Sequence, residues 1–520
     1  MPEQSLTKAR ERRDYERTAS IISGALALVG SSDLAMRGLT LAVKRTAKSP
    51  QQKIIAEWLK KYTAPGNPGN ALFKNIRHLH PNVRKRFVAG TMANFFMRDP
   101  EFTEGLLKER GISSPTAILI SPSMRCNLKC VGCYAAEYEW EDDLSEAEVE
   151  SIINQGEEIG SRVYVILGGE PFVWRPLLDV IERHPQSVFM VFTNATMIND
   201  RVADRIIELG NICPTISIEG GRESTDARRG EGTYDRIMAA MDRLRERRAM
   251  FAFSCTATSQ NIDEITSETF GDLMVEKGAF YGWYFSYMPV GRDPDLSLMP
   301  NPDQRDQLRR GVMHLRNTRP LLLADFWGDG TLTGGCLSGG RKYIHINNKG
   351  DVEPCIFAHF AVDNIREKPL LDCLCSDFFK DLRRMQPFGK NLLRPCPIID
   401  HPAVMKKVVE RNNAYPTHEG AESLLNELQP GLHKYAAGVR EKLNPIWQNE
   451  MPWVHAWLEA DPEYQRRMRR GRDAAELADE AGDGSGNGGG NGGNGDRGRI
   501  ASELLAEVGQ VPADEVAARS

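Results

Sequence analysis

The sequence predicts an α/β fold: six β–α units form a parallel sheet curled into a partial barrel, with helical extensions at both ends. Three observations point to it. From Thr116 onward, short apolar runs alternate with amphipathic stretches, the order that yields a parallel sheet. Three cysteines, Cys126, Cys130 and Cys133, follow directly on the first apolar run. Gly168-Gly169-Glu170-Pro171 follows directly on the second. Loops after the strands of such a barrel are where its chemistry sits.

Residues 1–112 show no strand alternation and read as helices, broken by a loop at Gly66-Asn67-Pro68-Gly69. Residues 83–97 carry basic residues and then an apolar face, as in a helix docked on the next domain or one lying on a membrane. Strands are expected at 117–120, 163–167, 188–192, 215–218, 251–255 and 284–288. The first helix opens at Ser145, with Glu148 completing a capping box. Further helices are expected near 176–184, 199–209, 233–248 and 262–277. Residues 321–401 read as a separate region with a hairpin turning at Asn347-Asn348-Lys349-Gly350. Residues 402–481 look helical, anchored by Trp447, Trp453 and Trp457. Residues 482–498 are a Gly/Asn-rich linker and 499–520 a terminal tail.

A chain of 520 residues is long enough for two or more domains. Its formal net charge is −5, yet Lys and Arg outnumber Asp and Glu about two to one over residues 1–115. That basic segment suits an anionic partner or a solvated helical face. No apolar run approaches the length a spanning helix needs, and Met1 to Arg17 is polar. The expected setting is a reducing cytoplasm, with peripheral membrane contact through the N-terminal segment as a possibility. There cysteines serve metals rather than disulfides.

The spacing Cys126-x-x-x-Cys130-x-x-Cys133 places three thiolates in one tight loop. Such a set can hold three irons of a four-iron cluster and leave the fourth open to a non-protein ligand. Zinc sites pair C-x-x-C with a second pair of Cys or His, which this loop lacks. Cys126-Asn-Leu-Lys-Cys130-Val-Gly-Cys133-Tyr134 resembles the signature of the radical S-adenosylmethionine (SAM) superfamily. The resemblance covers about residues 115–400, with 113–320 as the core. It implies a partial (β/α)6 barrel, a catalytic [4Fe–4S] cluster and SAM. It also implies cleavage of SAM to a 5′-deoxyadenosyl radical that abstracts hydrogen from substrate.

Further motifs follow in the family's order. Gly168-Gly169-Glu170-Pro171 resembles the stretch that binds the SAM amino group. Thr193 and Asn194 end the third strand, where polar groups face the ligand. Ser217-Ile218-Glu219-Gly220 resembles Ser-x-Asp-Gly, with Glu219 for the usual Asp; Ser217 is expected near the SAM ribose or carboxylate. Arg228 and Arg229 lie where an Arg meets the SAM carboxylate; either one does so or forms a surface ion pair. Gly132 stands where the family often has an aromatic residue, and Tyr134 follows the third cysteine instead.

Cys336, Gly350 after thirteen residues and Cys355 after four more resemble the opening of a SPASM/twitch auxiliary domain. Cys396 is the later member, implying a second [4Fe–4S] cluster on Cys336, Cys355 and Cys396. Its fourth ligand stays open among Cys373, Cys375, His401, another residue or substrate. Cys373 and Cys375 read as structural, and Cys213 and Cys255 as core packing. Expected partners are SAM, a flavodoxin- or ferredoxin-type electron donor, and an organic substrate (peptide, protein or small molecule, alternatively a lipid or isoprenoid); nucleic acid is not expected. A non-catalytic iron–sulfur scaffold is the third reading, and retention of the Gly-Gly-Glu-Pro stretch argues against it.

Overall fold

The computed structural model describes residues 60–96, 100–135 and 142–451, with scattered positions between 17 and 45 and at 454, 455 and 458. Trp453, Trp457, the linker and the tail lie outside the described residues.

Six parallel strands follow one another: β1 Ala117–Ile120, β2 Val163–Ile166, β3 Val188–Thr193, β4 Ile212–Ser217, β5 Ala252–Ala257 and β6 Tyr281–Ser286. Consecutive strands pair in sequence order, as repeated βαβ crossovers of one hand require. The helices between them are bounded by local chemistry. Ser145 and Glu148 form both halves of the expected capping box on the helix Glu146–Glu158. Asn199 and Ser267 cap the helices Asp200–Leu209 and Glu268–Lys277, which end on left-handed Gly210 and Gly278.

The sheet has nine strands rather than six. β7 (Leu322–Asp325) adds in parallel beyond β6, after the helix Pro302–Thr318. β8 (Tyr343–Ile346) pairs in parallel with β1, and β9 (Val352–Glu353) closes its hairpin. The order is β7-β6-β5-β4-β3-β2-β1-β8-β9. The region expected to stand apart at 321–401 therefore contributes both flanks of the sheet. A small pair, β10 (Phe360–Ala361) and β11 (Tyr415–Pro416), lies outside it. Other expectations change as well. β4 and β6 each begin three residues earlier than the pattern suggested, and Pro68-Gly69 opens a helix capped by Asn67 instead of forming a loop.

Alternation along the strands makes two apolar layers. Ile118, Tyr164, Phe189 and Tyr284 face the helices in the main core. Leu119, Val165, Leu167, Met190 and Phe192 face the concave side. The sheet curls enough for Phe192 of β3 to meet Phe285 of β6 across two intervening strands, at 6.0 Å between ring centroids. Phe326, just after β7, comes within 6.2 Å of Tyr343 on β8. Side chains thus span the seam between the two ends of the sheet, and no strand ladder closes it. The result is a partial barrel.

The N-terminal helices close its lower end. Val83, Phe87, Val88 and Ala89 pack against Val188, Cys213 and Ala252, all at the starts of strands. The described part of the 83–97 segment thus directs its apolar face at the barrel, as a docked helix. Leu106 and Ile112 join the main core. No helix among the described residues is long and apolar enough to cross a membrane. Each large apolar side chain buried here is worth roughly 1.5–3 kcal/mol. A chain starting at Ser113 is therefore expected to melt several degrees below the full chain while its folded fraction still binds SAM, as calorimetry and equilibrium dialysis would show. An unchanged melting temperature would mean that the plug contributes nothing.

Candidate active site

The cysteine loop leaves β1 and is tied to the ends of four other strands. The tie to β2 is backbone to backbone: Gly169 N donates to Ser123 O at 3.1 Å, and Glu170 N to Arg125 O at 2.9 Å. Gly168 has φ +108°, and a Cβ on it would lie 2.2 Å from Ser123 O. A Cβ on Gly169 would lie 2.2 Å from Arg125 O. The glycines are needed because the cysteine loop itself passes over them.

Glu170 is 1 % exposed. Its carboxylate accepts from Thr193 Oγ1 at 2.8 Å, Asn194 N at 2.7 Å and Phe172 N at 3.1 Å. Burial raises its pKa in spite of these donors. It braces the ends of β2 and β3, and Pro171 starts a single turn behind it. From the end of β3, Asn194 Nδ2 donates to Asn127 Oδ1 at 2.8 Å and lies 3.9 Å from Cys126 Sγ.

The tie to β4 is ionic. Glu219 is buried at 1 % exposure and accepts from Arg228 Nη1 at 2.6 Å, Arg229 Nε at 2.9 Å and Thr256 N at 3.0 Å. Burial alone would raise its pKa; Arg228 and Arg229 hold it low instead. Both guanidiniums also face the cysteine loop. Arg228 Nη2 donates to Gly132 O at 3.4 Å, and Arg229 Nη1 lies 4.0 Å from Cys130 Sγ. Both arginines form an ion pair with Glu219, and it is buried rather than at the surface. Ser217 Oγ sits half-buried, 3.3 Å from Ser254 Oγ on β5.

The last tie comes from the exit of β6, where Arg292 N donates to Cys133 O at 2.9 Å. Gly132 has φ +60°, and a Cβ there would meet Tyr287 Cε2 at 2.6 Å. The Tyr287 ring therefore fills the space that a side chain at this position would take. Tyr134 packs edge-on against Phe357 at 5.7 Å, and its hydroxyl reaches Gly168 O at 3.5 Å. Tyr287 and Arg292 bound the Tyr287-Met288-Pro289-Val290-Gly291-Arg292 stretch, which the sequence offers as closing the SAM site, contacting substrate or serving only as a strand exit. Asn127 was not singled out from the sequence, because its role depends on neighbours far along the chain.

All ten cysteines are unpaired thiols. Cys126 is exposed as a residue, yet its thiol turns against the protein, and that burial pushes it up to about 11. Burial likewise raises Cys133. A bound metal must displace these protons. Among the described residues, no three Cys, His, Asp or Glu side chains stand close enough for a single ion. The donor chemistry fits a cluster held by thiolates: three sulfurs in one loop, with Asn194 and Arg229 turning N–H groups toward two of them.

Cys336, Cys355 and Cys396 gather around Tyr343. Its hydroxyl lies 3.2 Å from Cys355 Sγ. Burial pushes the Cys355 thiol up to about 12, and the field of Cys336 adds to the rise at both Cys355 and Cys396. Asp400, absent from the sequence reading, accepts from Cys396 N at 3.0 Å. The other candidates point elsewhere. Cys373 is fully buried with Sγ toward Lys368 O, and Cys375 Sγ is directed at Arg110 O. His401 Nε2 lies 3.0 Å from Arg394 O. Cys213 and Cys255 are buried, as expected of core residues.

Residues 120–267 match the radical SAM superfamily, and residues 336–397 match the SPASM family, an iron–sulfur cluster-binding domain. The chain is therefore a radical SAM enzyme with a SPASM region, and its cofactors are SAM, a [4Fe–4S] cluster and auxiliary iron–sulfur. It is 26% identical to an AdoMet-dependent heme synthase of Methanosarcina barkeri over 49% of this chain and 81% of that one. It is 30% identical to an Fe-coproporphyrin III synthase of the same organism over 38% of this chain and 50% of that one. Streptococcus suis SuiB, solved with the precursor peptide SuiA, superposes with a TM-score of 0.49 at 20% identity, over 58% of this chain and 76% of SuiB.

Proposed function

We propose that Cys126, Cys130 and Cys133 hold the catalytic cluster, and that the enzyme abstracts hydrogen from a compact organic substrate at the barrel mouth. One observation carries this reading. The cysteine loop is pinned to the ends of β2, β3, β4 and β6 by backbone groups, Asn127, Arg228 and Arg229, while its three thiols remain unpaired. The cluster, held by these three cysteines, and bound SAM would supply reductive cleavage of SAM and hydrogen abstraction from the substrate.

In this reading Glu170 holds the β2 and β3 ends in register. The Glu219–Arg228–Arg229 cluster fixes the loop instead of giving an Arg to the SAM carboxylate. Ser217, Thr193 and Asn194 remain the strand-end groups facing SAM, and Tyr134 and Tyr287 are the rings nearest the third cysteine. The names of the two Methanosarcina relatives favour a tetrapyrrole-like substrate over a lipid. The docked 83–89 segment gives no separate support for a membrane substrate. Cys336, Cys355 and Cys396 hold most of an auxiliary cluster.

Iron analysis with Mössbauer spectroscopy tests the assignment. Reconstituted wild type is expected to carry about eight irons per chain, and a Cys126/Cys130/Cys133 triple alanine variant about four, unable to cleave SAM. A triple variant without iron, or with zinc in its place, contradicts the second cluster. A triple variant that keeps all the iron contradicts the first.

A further inference from the structure

Between the two cysteine groups runs an unbroken belt of rings. Phe192 meets Phe285, Phe285 meets Phe326 at 5.1 Å, and Phe326 meets Trp327 at 5.7 Å. Trp327 meets Phe357 at 6.2 Å, and Phe357 meets Tyr134. The belt lies at the level of the strand ends: Phe192 and Phe285 are each one residue from the end of β3 and β6, and Phe326 follows β7. Every member except Trp327 is only half-buried, although all are large apolar rings. None carries a charge. Trp327 is 4 % exposed, and its Nε1–H has no acceptor among the described residues. A contiguous run of half-exposed rings marks a binding surface rather than core packing.

We infer that this belt is the substrate platform and that it takes a flat, conjugated, largely uncharged ring system. The inference rests on the proposed function and names the substrate class of that same site. Two features select a flat ring over a flexible chain. The rings are tilted against one another, with interplanar angles of 63°, 41°, 62°, 40° and 83° along the belt. Edges and faces are therefore both presented, and only another π system gains ring–ring attraction from them beyond the area it buries. The barrel is also closed at its lower end by Val83, Phe87, Val88 and Ala89. A strand of six residues spans only about 20 Å. A long hydrocarbon chain entering this blind tube would have to fold back on itself, at a cost in conformational entropy that a compact plate avoids.

Metal-free mesoporphyrin tests the inference, because without a metal no axial His or Cys can hold it. Its absorption and fluorescence are titrated against reconstituted holoenzyme under anaerobic conditions. One saturable site per chain is expected. Phe285→Leu and Phe326→Leu keep apolar bulk but remove a ring, and each is expected to weaken binding about 5–10-fold. Phe285→Tyr keeps the ring and is expected to bind within about twofold of wild type. Palmitate and a tryptophan-bearing octapeptide are expected not to displace the probe. Absence of a saturable site, undiminished binding in both Leu variants, or displacement by palmitate or peptide at equal concentration would each overturn the inference. The same wild-type preparation is assayed for 5′-deoxyadenosine. SAM cleavage without porphyrin binding refutes the substrate class alone; porphyrin binding without SAM cleavage refutes the radical reading alone.

Discussion

Changing Cys130 to alanine is expected to abolish 5′-deoxyadenosine formation. The loop offers three thiolates, and a four-iron cluster with one iron already open has no spare protein ligand to lose. Among the described residues, the side chain recorded against Cys130 Sγ is Arg229, at 4.0 Å, a cation that cannot ligate iron. The auxiliary cysteines belong to the separate group around Tyr343. The expected loss is complete to the assay limit, about a thousandfold or more, with the protein still folded by circular dichroism. Cleavage surviving in this variant would mean that the loop does not carry the catalytic cluster.

Glu219→Ala is expected to be the most destabilising single change near the site. It leaves two guanidiniums, 15 % and 10 % exposed, without their carboxylate, and it removes the acceptor for Thr256 N. Breaking a buried pair in this way costs about 3–5 kcal/mol. Glu219→Gln keeps an acceptor for Thr256 N and is expected to lose less. Denaturant unfolding of the apoprotein reads the stability, and iron content after reconstitution reads the loop. If Glu219→Ala unfolds at the wild-type midpoint, the ion cluster does not hold the loop.

What was legible in the sequence was local. The cysteine spacing, the capping box at Ser145 and Glu148, and the glycine motif each reside in a few consecutive residues. β1 matches its expected bounds, and β2 and β3 lie within one residue of theirs. β6 slipped because Tyr281 to Met288 is apolar on both faces, so alternation gives no register. β7 and the β8 hairpin were read as a separate region because pairing of Ala117 with Tyr343 joins residues far apart in sequence, which no local pattern encodes. The chemistry of single side chains was legible in type but not in allegiance. Glu170 reads as a ligand group, yet its carboxylate faces three protein donors. Arg228 and Arg229 read as carboxylate binders, and the carboxylate they meet is Glu219. The aromatic belt was invisible because its six rings come from five separate stretches of chain.

The most direct test of the account is product analysis of the wild-type enzyme. The protein is reconstituted with iron and sulfide, reduced without oxygen, incubated with SAM and analysed for 5′-deoxyadenosine and methionine. Both are expected in equal amounts, with excess dithionite supplying one electron per cleavage and buffer or reductant supplying the hydrogen atom when no substrate is present. Fully reconstituted, reduced enzyme that binds SAM and leaves it intact would contradict the account at its centre.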